Sequence, residues 1–278
     1  PLNDRDDVHE IYAEWRRVFN EYDPPRTAVA EAWVSTPERR AKYASAEGLG
    51  QAFNFDLLVA DFDAEQFRTI IADNLEQARI TGSSTTWVLS NHDVTRHATR
   101  YGLAPLAGKG YKQGVAWVAA GGPADQLDRD RGIRRAHAAT LLLLGLPGST
   151  YLYQGEELGL QEVAEIGPGE RQDPSFFRGA DFDGLGRDGC RVPLPWTASG
   201  PSFGFGTGEA HLPQPDWFGR YAVDVEDGDP SSTLTLYREA LRLRRELQTD
   251  ESLEWIETGR ADVLRFARPN GWQVVTNF

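Results

Sequence analysis

Polar and acidic side chains follow apolar, β-prone runs at three places in the sequence. Glu31 lies late in the first run, Asn91-His92-Asp93 closes a later one, and Gln154-Gly155-Glu156-Glu157 closes the last. In a βα barrel, polar residues at the C-terminal ends of strands face the catalytic mouth. These three groups are therefore the first candidates for a functional site.

Glu31 is a candidate general acid. A carboxyl group at a nearly dry strand end is costly to ionise, and a group that keeps its proton can protonate a leaving group. A buried structural ion pair would place a carboxyl group at the same kind of position. Position alone leaves both interpretations open.

The tripeptide Asn91-His92-Asp93 presents an amide, an imidazole and a carboxylate from successive positions. Such a set suits a ligand with many hydroxyl groups. The alternative is a turn in which Asn91 and Asp93 bond their own backbone and His92 is incidental. Without further context the tripeptide does not decide between them.

Composition excludes several classes of function. The 278 residues carry a formal net charge of −13, which opposes binding to nucleic-acid phosphates. The longest apolar run, residues 138–147, is too short to span a membrane, and no signal-peptide pattern opens the sequence. The single cysteine, Cys190, rules out an internal disulfide framework and a thiolate cluster for zinc.

The elements that must position these residues alternate along the chain. Short β-prone runs occupy residues 27–34, 53–59, 86–90 and 150–153. Apolar residues at helical spacing predict helices over residues 8–22, 64–81, 131–146 and 233–247. Alternating strands and helices predict a parallel sheet covered by helices, and four such units form half of an eight-stranded barrel.

The pattern changes beyond Asp250. Short β-prone segments at 254–257, 263–267 and 272–276 surround a turn sequence, Arg268-Pro-Asn-Gly271. The sequence therefore predicts an α/β chain in two parts. Residues 1–249 form the second half of a (β/α)8 TIM barrel, and residues 250–278 begin an antiparallel β-sandwich domain.

Four blocks in this order resemble glycoside hydrolase family 13, the α-amylase family. They are AEAW at 30–33, SNHD at 90–93, YLYQGEELGL at 151–160 and GRDGCRVPLPW at 186–196, with QAFNFDLL at 51–58 as a further match. The last of the four is similar to the arginine-bearing loop of the oligosaccharide-processing α-glucosidases. The resemblance extends over nearly the whole chain.

The resemblance implies roles for individual residues. Glu31 would be the general acid/base, and Asp93 a non-nucleophilic aspartate that grips sugar hydroxyls and stabilises the transition state. His92 would hydrogen-bond the same sugar, and Arg191 would reach the 4-hydroxyl of the terminal glucose. Arg187 is expected to brace the loop. No metal site or other cofactor is assigned, although calcium stays open.

Retaining hydrolysis needs a second carboxylate as nucleophile. In the family it lies in a block resembling GFRIDVAHG on the strand before AEAW, and no such block occurs here. Asp56 follows the Glu31 strand and is interpreted as structural. The expected partners are an oligosaccharide and the N-terminal half of the barrel, from the same or a separate chain, with no nucleic acid and no membrane.

The function expected from the sequence is a retaining, exo-acting α-glucosidase that acts on maltose-type or isomaltose-type oligosaccharides, in the cytoplasm. Two alternatives stay open. One is a glucosyl transferase or isomerase of the same family, in which a sugar hydroxyl replaces water. The other is a non-catalytic family member, such as the ectodomain of a transporter subunit.

Overall fold

A computed structural model describes residues 3–34, 36–106, 111–178 and 185–278. The helices are α1 Val8–Phe19, α2 Pro37–Ala44, α3 Asp56–Val59, α4 Ala64–Thr81, α5 His97–Arg100, α6 Lys112–Ala119, α7 Arg129–Gly145, α8 Pro174–Phe177, α9 Val223–Glu226 and α10 Thr233–Glu246. The strands are β1 Ala28–Ala30, β2 Gly50–Ala52, β3 Thr86–Val88, β4 Ser149–Tyr151, β5 Glu254–Trp255, β6 Val263–Ala267 and β7 Gln273–Asn277.

The first four strands form two parallel pairs, β1 with β2 and β3 with β4. The hydroxyl of Thr86 connects the pairs. It donates to the carbonyl of Ala52 at 2.8 Å and accepts from the amide of Asn54 at 2.9 Å. The side chain of β3 thus substitutes for a regular main-chain ladder, and the four strands lie side by side in chain order.

Side chains from alternate strands meet on the inner face of this sheet. The amide of Gln51 in β2 donates to the hydroxyl of Ser149 in β4 at 2.6 Å, and the hydroxyl of Tyr151 donates to the Gln51 carbonyl oxygen. In (β/α)8 barrels each interior layer is built from alternate strands. The contacts between β2 and β4 are of this kind.

Helices α4 and α7 cover the outer face of the sheet. The largest buried cluster contains Phe67 and Ile71 of α4, Trp87 of β3 and Leu142 of α7, all at most 1% exposed. Each of these helices begins at an aspartate whose side chain accepts a main-chain N–H of the first turn. Capping and a continuous apolar face therefore fix both helices against the strands that carry the candidate residues.

The C-terminal strands form an antiparallel sheet in the order β5-β6-β7. This sheet packs on the same core, because Leu264 and Phe266 of β6 belong to the cluster around Phe67. The approach to α7 is close: a Cβ added at Gly145 would lie 2.4 Å from Val274 of β7. The division at residue 249/250 stays a prediction, but the two parts share one hydrophobic core.

Most of the predicted elements are confirmed, including the helix over residues 64–81 and the strand over residues 263–267. The predicted strand over residues 53–59 is wrong. The strand lies earlier, at Gly50–Ala52, and the chain then turns because the side chain of Asn54 accepts the amide of Asp56 at 2.9 Å. Asp56 therefore begins helix α3.

Within the described residues, no helix is long and apolar enough to cross a membrane.

Candidate active site

Asp93 lies beyond the C-terminal end of β3. Its position is set by a local turn, in which the side chain of Asn91 accepts the amide of Asp93 at 2.8 Å. The tripeptide therefore combines the two interpretations, a local turn and a set of groups available to a ligand. Asn91 makes the turn, and the turn leaves the carboxylate of Asp93 about one-third exposed and available to other groups.

Two arginines donate to the same oxygen of that carboxylate. Arg187 donates from Nη1 to Asp93 Oδ1 at 2.5 Å, and Arg191 donates from Nη2 at 3.0 Å. Arg191 also donates from Nε to the carbonyl of His92 at 2.8 Å. Hydrogen bonds between ionised groups are short and directional, so this arrangement holds a carboxylate and two guanidinium groups at the edge of the mouth.

Asp173 anchors the arginine loop, residues 187–191, from the protein interior. It accepts from Arg187 Nε at 2.6 Å, from Arg187 Nη2 at 3.1 Å and from the Arg187 amide at 2.7 Å, and its side chain is fully buried. The Arg187 guanidinium holds the pKa of Asp173 well below its usual range. Arg187 therefore links a buried carboxylate to a partly exposed one, which fits the expectation that it braces the loop.

His92 extends past this group. Its Nε2 lies 3.5 Å from Asp93 Oδ1, and more than half of its side chain is exposed. His92 and Asp93 from the second block and Arg191 from the fourth are thus brought together at one point.

Glu31 is placed differently from the expectation of a nearly dry strand end, which is wrong for this chain. Glu31 follows β1 and is exposed. The reason is the position of β1: among the described strands it pairs only with β2, so its other edge has no neighbour to cover the residues that follow it.

Glu31 and Asp93 also line different cavities. Asp93 lines a cavity of about 430 Å³ together with Glu162 and Arg187, whereas Glu31 lines one of about 710 Å³ between β1 and α1. The two carboxylates therefore do not share either of these cavities, as the described residues form them.

A row of aromatic rings connects the strand ends. Tyr151 contacts Phe53 with ring centroids 4.6 Å apart, Phe53 stacks on Phe55 at 5.5 Å, and Phe55 stacks on Trp33 at 5.0 Å. Trp33 is 68% exposed. The row runs from β4 to the segment after β1 and ends beside the segment that carries Glu31.

Glu156, beyond β4, lies inside the protein rather than at its surface. It accepts the amide of Tyr153 at 3.2 Å and the hydroxyl of Tyr237 at 3.4 Å, and burial raises its pKa to about 8. His97 lies 3.9 Å from Glu156, but burial lowers the pKa of that imidazole well below its usual value. At neutral pH both groups are therefore uncharged, and the pair is not an ion pair.

Among the described residues, no group of three or more His, Cys, Asp or Glu side chains is placed to hold a metal ion.

Sequence reasoning missed two contributors to this region. Asp173 precedes a proline at the start of α8, and its side chain caps that helix through the amide of Ser175 at 3.0 Å. An Asp-Pro pair of this kind signals a helix start but not an ion pair with Arg187. Glu162 lies in a segment without periodicity, so no local pattern indicated its burial.

Comparison with known proteins gives a consistent result. Residues 2–115 and 124–251 match the family described as alpha amylase, catalytic domain. A protein named probable alpha-glucosidase from Rhizobium meliloti is 32% identical over 94% of this chain and 43% of its own length. Oligo-1,6-glucosidase IMA2 of Saccharomyces cerevisiae is 23% identical over 86% of this chain.

Solved structures agree with this match. The alpha-glucosyl transfer enzyme XgtA superposes with a TM-score of 0.72 and 30% identity, over 95% of this chain and 44% of its own. Isomaltulose synthase from Erwinia rhapontici NX5 superposes with a TM-score of 0.74 at 20% identity, which shows the fold alone.

The chain spans less than half the length of the curated relatives it matches. Over that span it has the fold of the α-amylase catalytic domain, a TIM barrel. Two stretches that together make up most of this chain match the family's catalytic domain. The chain therefore belongs to the α-amylase family of glycoside hydrolases.

Proposed function

We propose that the chain is the C-terminal half of the catalytic barrel of a retaining, exo-acting α-glucosidase. The observation that carries the proposal is the carboxylate of Asp93, held by Arg187 and Arg191 at the C-terminal end of β3. A fixed carboxylate between two multidentate donors suits a sugar ring that presents several hydroxyl groups at once.

In this proposal Glu31 is the general acid/base. It protonates the glycosidic oxygen as the bond to the anomeric carbon breaks, and it later removes a proton from the attacking water. Asp93 and His92 hold hydroxyl groups of the same glucose unit. Arg191 limits the site to a terminal glucose, because its guanidinium occupies the edge of the mouth beside Asp93.

The nucleophile and the remaining strands belong to the N-terminal half of the barrel, which is the proposed partner. The exposed position of Glu31 supports this, because it lies beside the edge of β1 that no described strand pairs with, and a strand added there would cover it. Maltose-type or isomaltose-type oligosaccharides are the proposed substrates, in line with the relatives named alpha-glucosidase and oligo-1,6-glucosidase.

Glucosyl transfer is the second candidate. The similarity to XgtA, an alpha-glucosyl transfer enzyme at 30% identity, favours it. The same residues serve both reactions, since only the acceptor differs: a sugar hydroxyl in place of water. Product analysis at rising sugar concentration separates them, since transfer gives longer oligosaccharides and hydrolysis gives free glucose.

The central test is Glu31→Gln in the full-length protein, with p-nitrophenyl α-glucoside as substrate. Loss of the acid/base is expected to reduce kcat/KM by about 10²- to 10⁴-fold, the usual contribution of such catalysis. Glu47→Gln, an exposed carboxylate in the connection from β1 to β2, is the matched control and should change the rate less than about twofold. An unchanged rate in Glu31→Gln would refute the assignment.

A further inference from the structure

Arg96 lies directly before helix α5, three residues after Asp93, and only 3% of it is exposed. Its guanidinium donates from Nη1 to the carbonyl of Gln154 at 2.8 Å and from Nη2 to the carbonyl of Cys190 at 3.0 Å. One side chain from the end of β3 thus binds the segment after β4 and the arginine loop at the same time.

The carbonyl of Cys190 is a second fixed point. It accepts from Arg96 Nη2 and also from the hydroxyl of Tyr153 at 3.0 Å. Arg96 lies over the ring of Tyr153 with 5.1 Å between the guanidinium carbon and the ring centroid, so the two donors support each other. Cys190 immediately precedes Arg191 and follows Arg187 by three residues.

The turn between the two arginines is short and bonded internally. Residues Asp188–Cys190 form a single 3₁₀ turn. The amide of Arg191 donates to the main-chain carbonyl of Asp188 at 2.9 Å, and Cys190 Sγ donates to the Arg187 carbonyl at 3.2 Å. Because these two internal hydrogen bonds join the Cys190 region to both arginines, holding the Cys190 carbonyl restrains the starting points of both arginine side chains.

The fold leaves space for this arrangement at Gly155. Its φ of +87° is in the left-handed region, and a Cβ added there would lie 2.9 Å from Arg96 Nη1. A side chain at this position would be strained in its backbone and would displace the guanidinium. The amide of Arg96 is held as well, since it donates to the buried carboxyl group of Glu162 at 3.0 Å.

We propose that Arg96 is a positioning residue: it sets Arg187 and Arg191 against Asp93 without touching the substrate. Both of its guanidinium bonds go to main-chain carbonyls rather than to a carboxylate. Guanidinium suits this task because its planar fork fixes two acceptors at a set angle, which an ammonium group does not. The proposal rests on the proposed function for its kinetic test but not for its structural one.

The kinetic test is a double-mutant cycle in the full-length protein, with Arg96→Lys, Arg191→Ala and the double variant. Arg96→Lys is expected to lower kcat/KM for p-nitrophenyl α-glucoside by about 10²-fold, the effect of a displacement near 1 Å. In the double variant the loss should be clearly smaller than the sum of the two single losses, because part of the effect of Arg96 passes through Arg191 and the rest through Arg187. Additive losses would overturn the proposal.

Arg268→Lys is the matched control. Arg268 is also buried and donates only to main-chain carbonyls, those of Ser252, Gly145 and Asp250, at 2.8 to 3.0 Å. It directly follows β6 and bonds to Gly145, the last residue of α7, near the N-terminal end of β4 and away from the mouth. Arg268→Lys should lower the melting temperature and leave the effect of Arg191→Ala unchanged. A milder variant, Tyr153→Phe, removes the other donor to Cys190 and should reduce kcat/KM about tenfold.

Amide hydrogen exchange provides the test that needs no activity. Arg96→Lys is expected to raise the exchange rate of the Arg191 amide at least tenfold relative to wild type, and Arg268→Lys is expected to leave it unchanged. If the wild-type protein cleaves no glycoside, the proposed function fails while this measurement still decides the role of Arg96. An unchanged Arg191 amide in Arg96→Lys would overturn the proposal.

Discussion

The two strand pairs differ in how they hold the acidic residues beyond the C-terminal ends of their strands. At the β3–β4 mouth, which comprises residues 90–97, 153–162, 173 and 187–191, Asp93 is held by two arginines that are themselves anchored. At the β1–β2 mouth, which comprises residues 31–34 and 53–55, Glu31 is exposed and Trp33 is 68% exposed. The first mouth is organised by contacts within the chain, whereas the second lies beside an edge of β1 that no described strand covers.

Side-chain chemistry alone therefore does not tell whether a site is complete. Both mouths carry a carboxylate beyond a parallel strand. Only one has an arginine loop, and that loop is fixed by the buried Asp173. Substitution of Asp93, which its own chain positions, should therefore be poorly tolerated. Substitution of Glu31, which is exposed, should affect catalysis but not the stability of the chain.

The largest expected effect tests the β3–β4 mouth directly. Asp93→Asn keeps the shape of the side chain but removes the charge that Arg187 and Arg191 share. In the full-length protein it should lower kcat/KM for p-nitrophenyl α-glucoside by about 10³-fold, because hydrogen bonds to sugar hydroxyls that strengthen in the transition state contribute several kcal/mol.

The control is Asp56→Asn, since the Asp56 carboxylate accepts from Asn74 at 3.0 Å and lies outside the mouth. It should leave kcat/KM within about threefold of wild type. If Asp93→Asn keeps more than a tenth of the activity, the contrast between the two mouths fails.

A smaller effect concerns the pH dependence of stability, and it arises from Glu156. The pKa of Glu156 is about 8 in the folded protein against an ordinary value of 4.5. Its stabilising contribution is therefore fully present below pH 4.5 and is lost as the pH rises through about 8. Between these values one proton changes the free energy of unfolding by about 1.4 kcal/mol per pH unit.

Glu156→Gln should remove this slope, so the variant gains stability relative to wild type as the pH rises from 5 to 8. Chemical denaturation at several pH values measures the difference. The groups around Glu156 are Tyr153, Tyr237, His97, Arg96 and Glu157. Glu162, whose pKa burial raises to about 7, contributes with the same sign in both proteins and cancels in the comparison. Parallel curves for the two proteins would contradict the protonated state of Glu156.

The smallest effect is expected at the β1–β2 mouth. Trp33→Ala removes a side chain that stacks on Phe55 but is mostly exposed. The free energy of unfolding should change by less than about 0.5 kcal/mol. Trp87→Ala is the matched control, since Trp87 is 1% exposed and packs in the core, and it should cost about 3–5 kcal/mol. A large cost at Trp33 would mean that the chain does organise this mouth by itself.

Local patterns in the sequence predicted the helices well. The apolar stripe of residues 64–81 and the Asp63 cap act within one element, so the sequence carries them directly. The strands were harder to predict, because each of the first four strands is only three residues long. Asn54 forms a turn after β2, but it lies inside an apolar run. That run led to the wrong prediction of a strand over residues 53–59.

Some residues of the site could likewise be predicted from the sequence, and others could not. Motif blocks identified Asp93, His92 and Arg191, and the structure places them together. The burial of Glu156 and the link from Asp173 to Arg187 depend on contacts across 14 to 81 positions in the sequence. Such contacts leave no local periodicity. The exposure of Glu31 was also out of reach, because it depends on what lies at the other edge of β1.

The packing of the C-terminal sheet has a consequence for folding during synthesis. Phe278 contacts Phe62 and Phe67 with ring centroids 4.5 and 5.2 Å apart, and Phe266 joins the same core. The ribosome makes α4 almost 200 residues before β6 and β7. Part of the apolar face of α4 therefore stays unburied until those last strands emerge, so the core is completed late in synthesis and aggregation-prone surface is exposed until then.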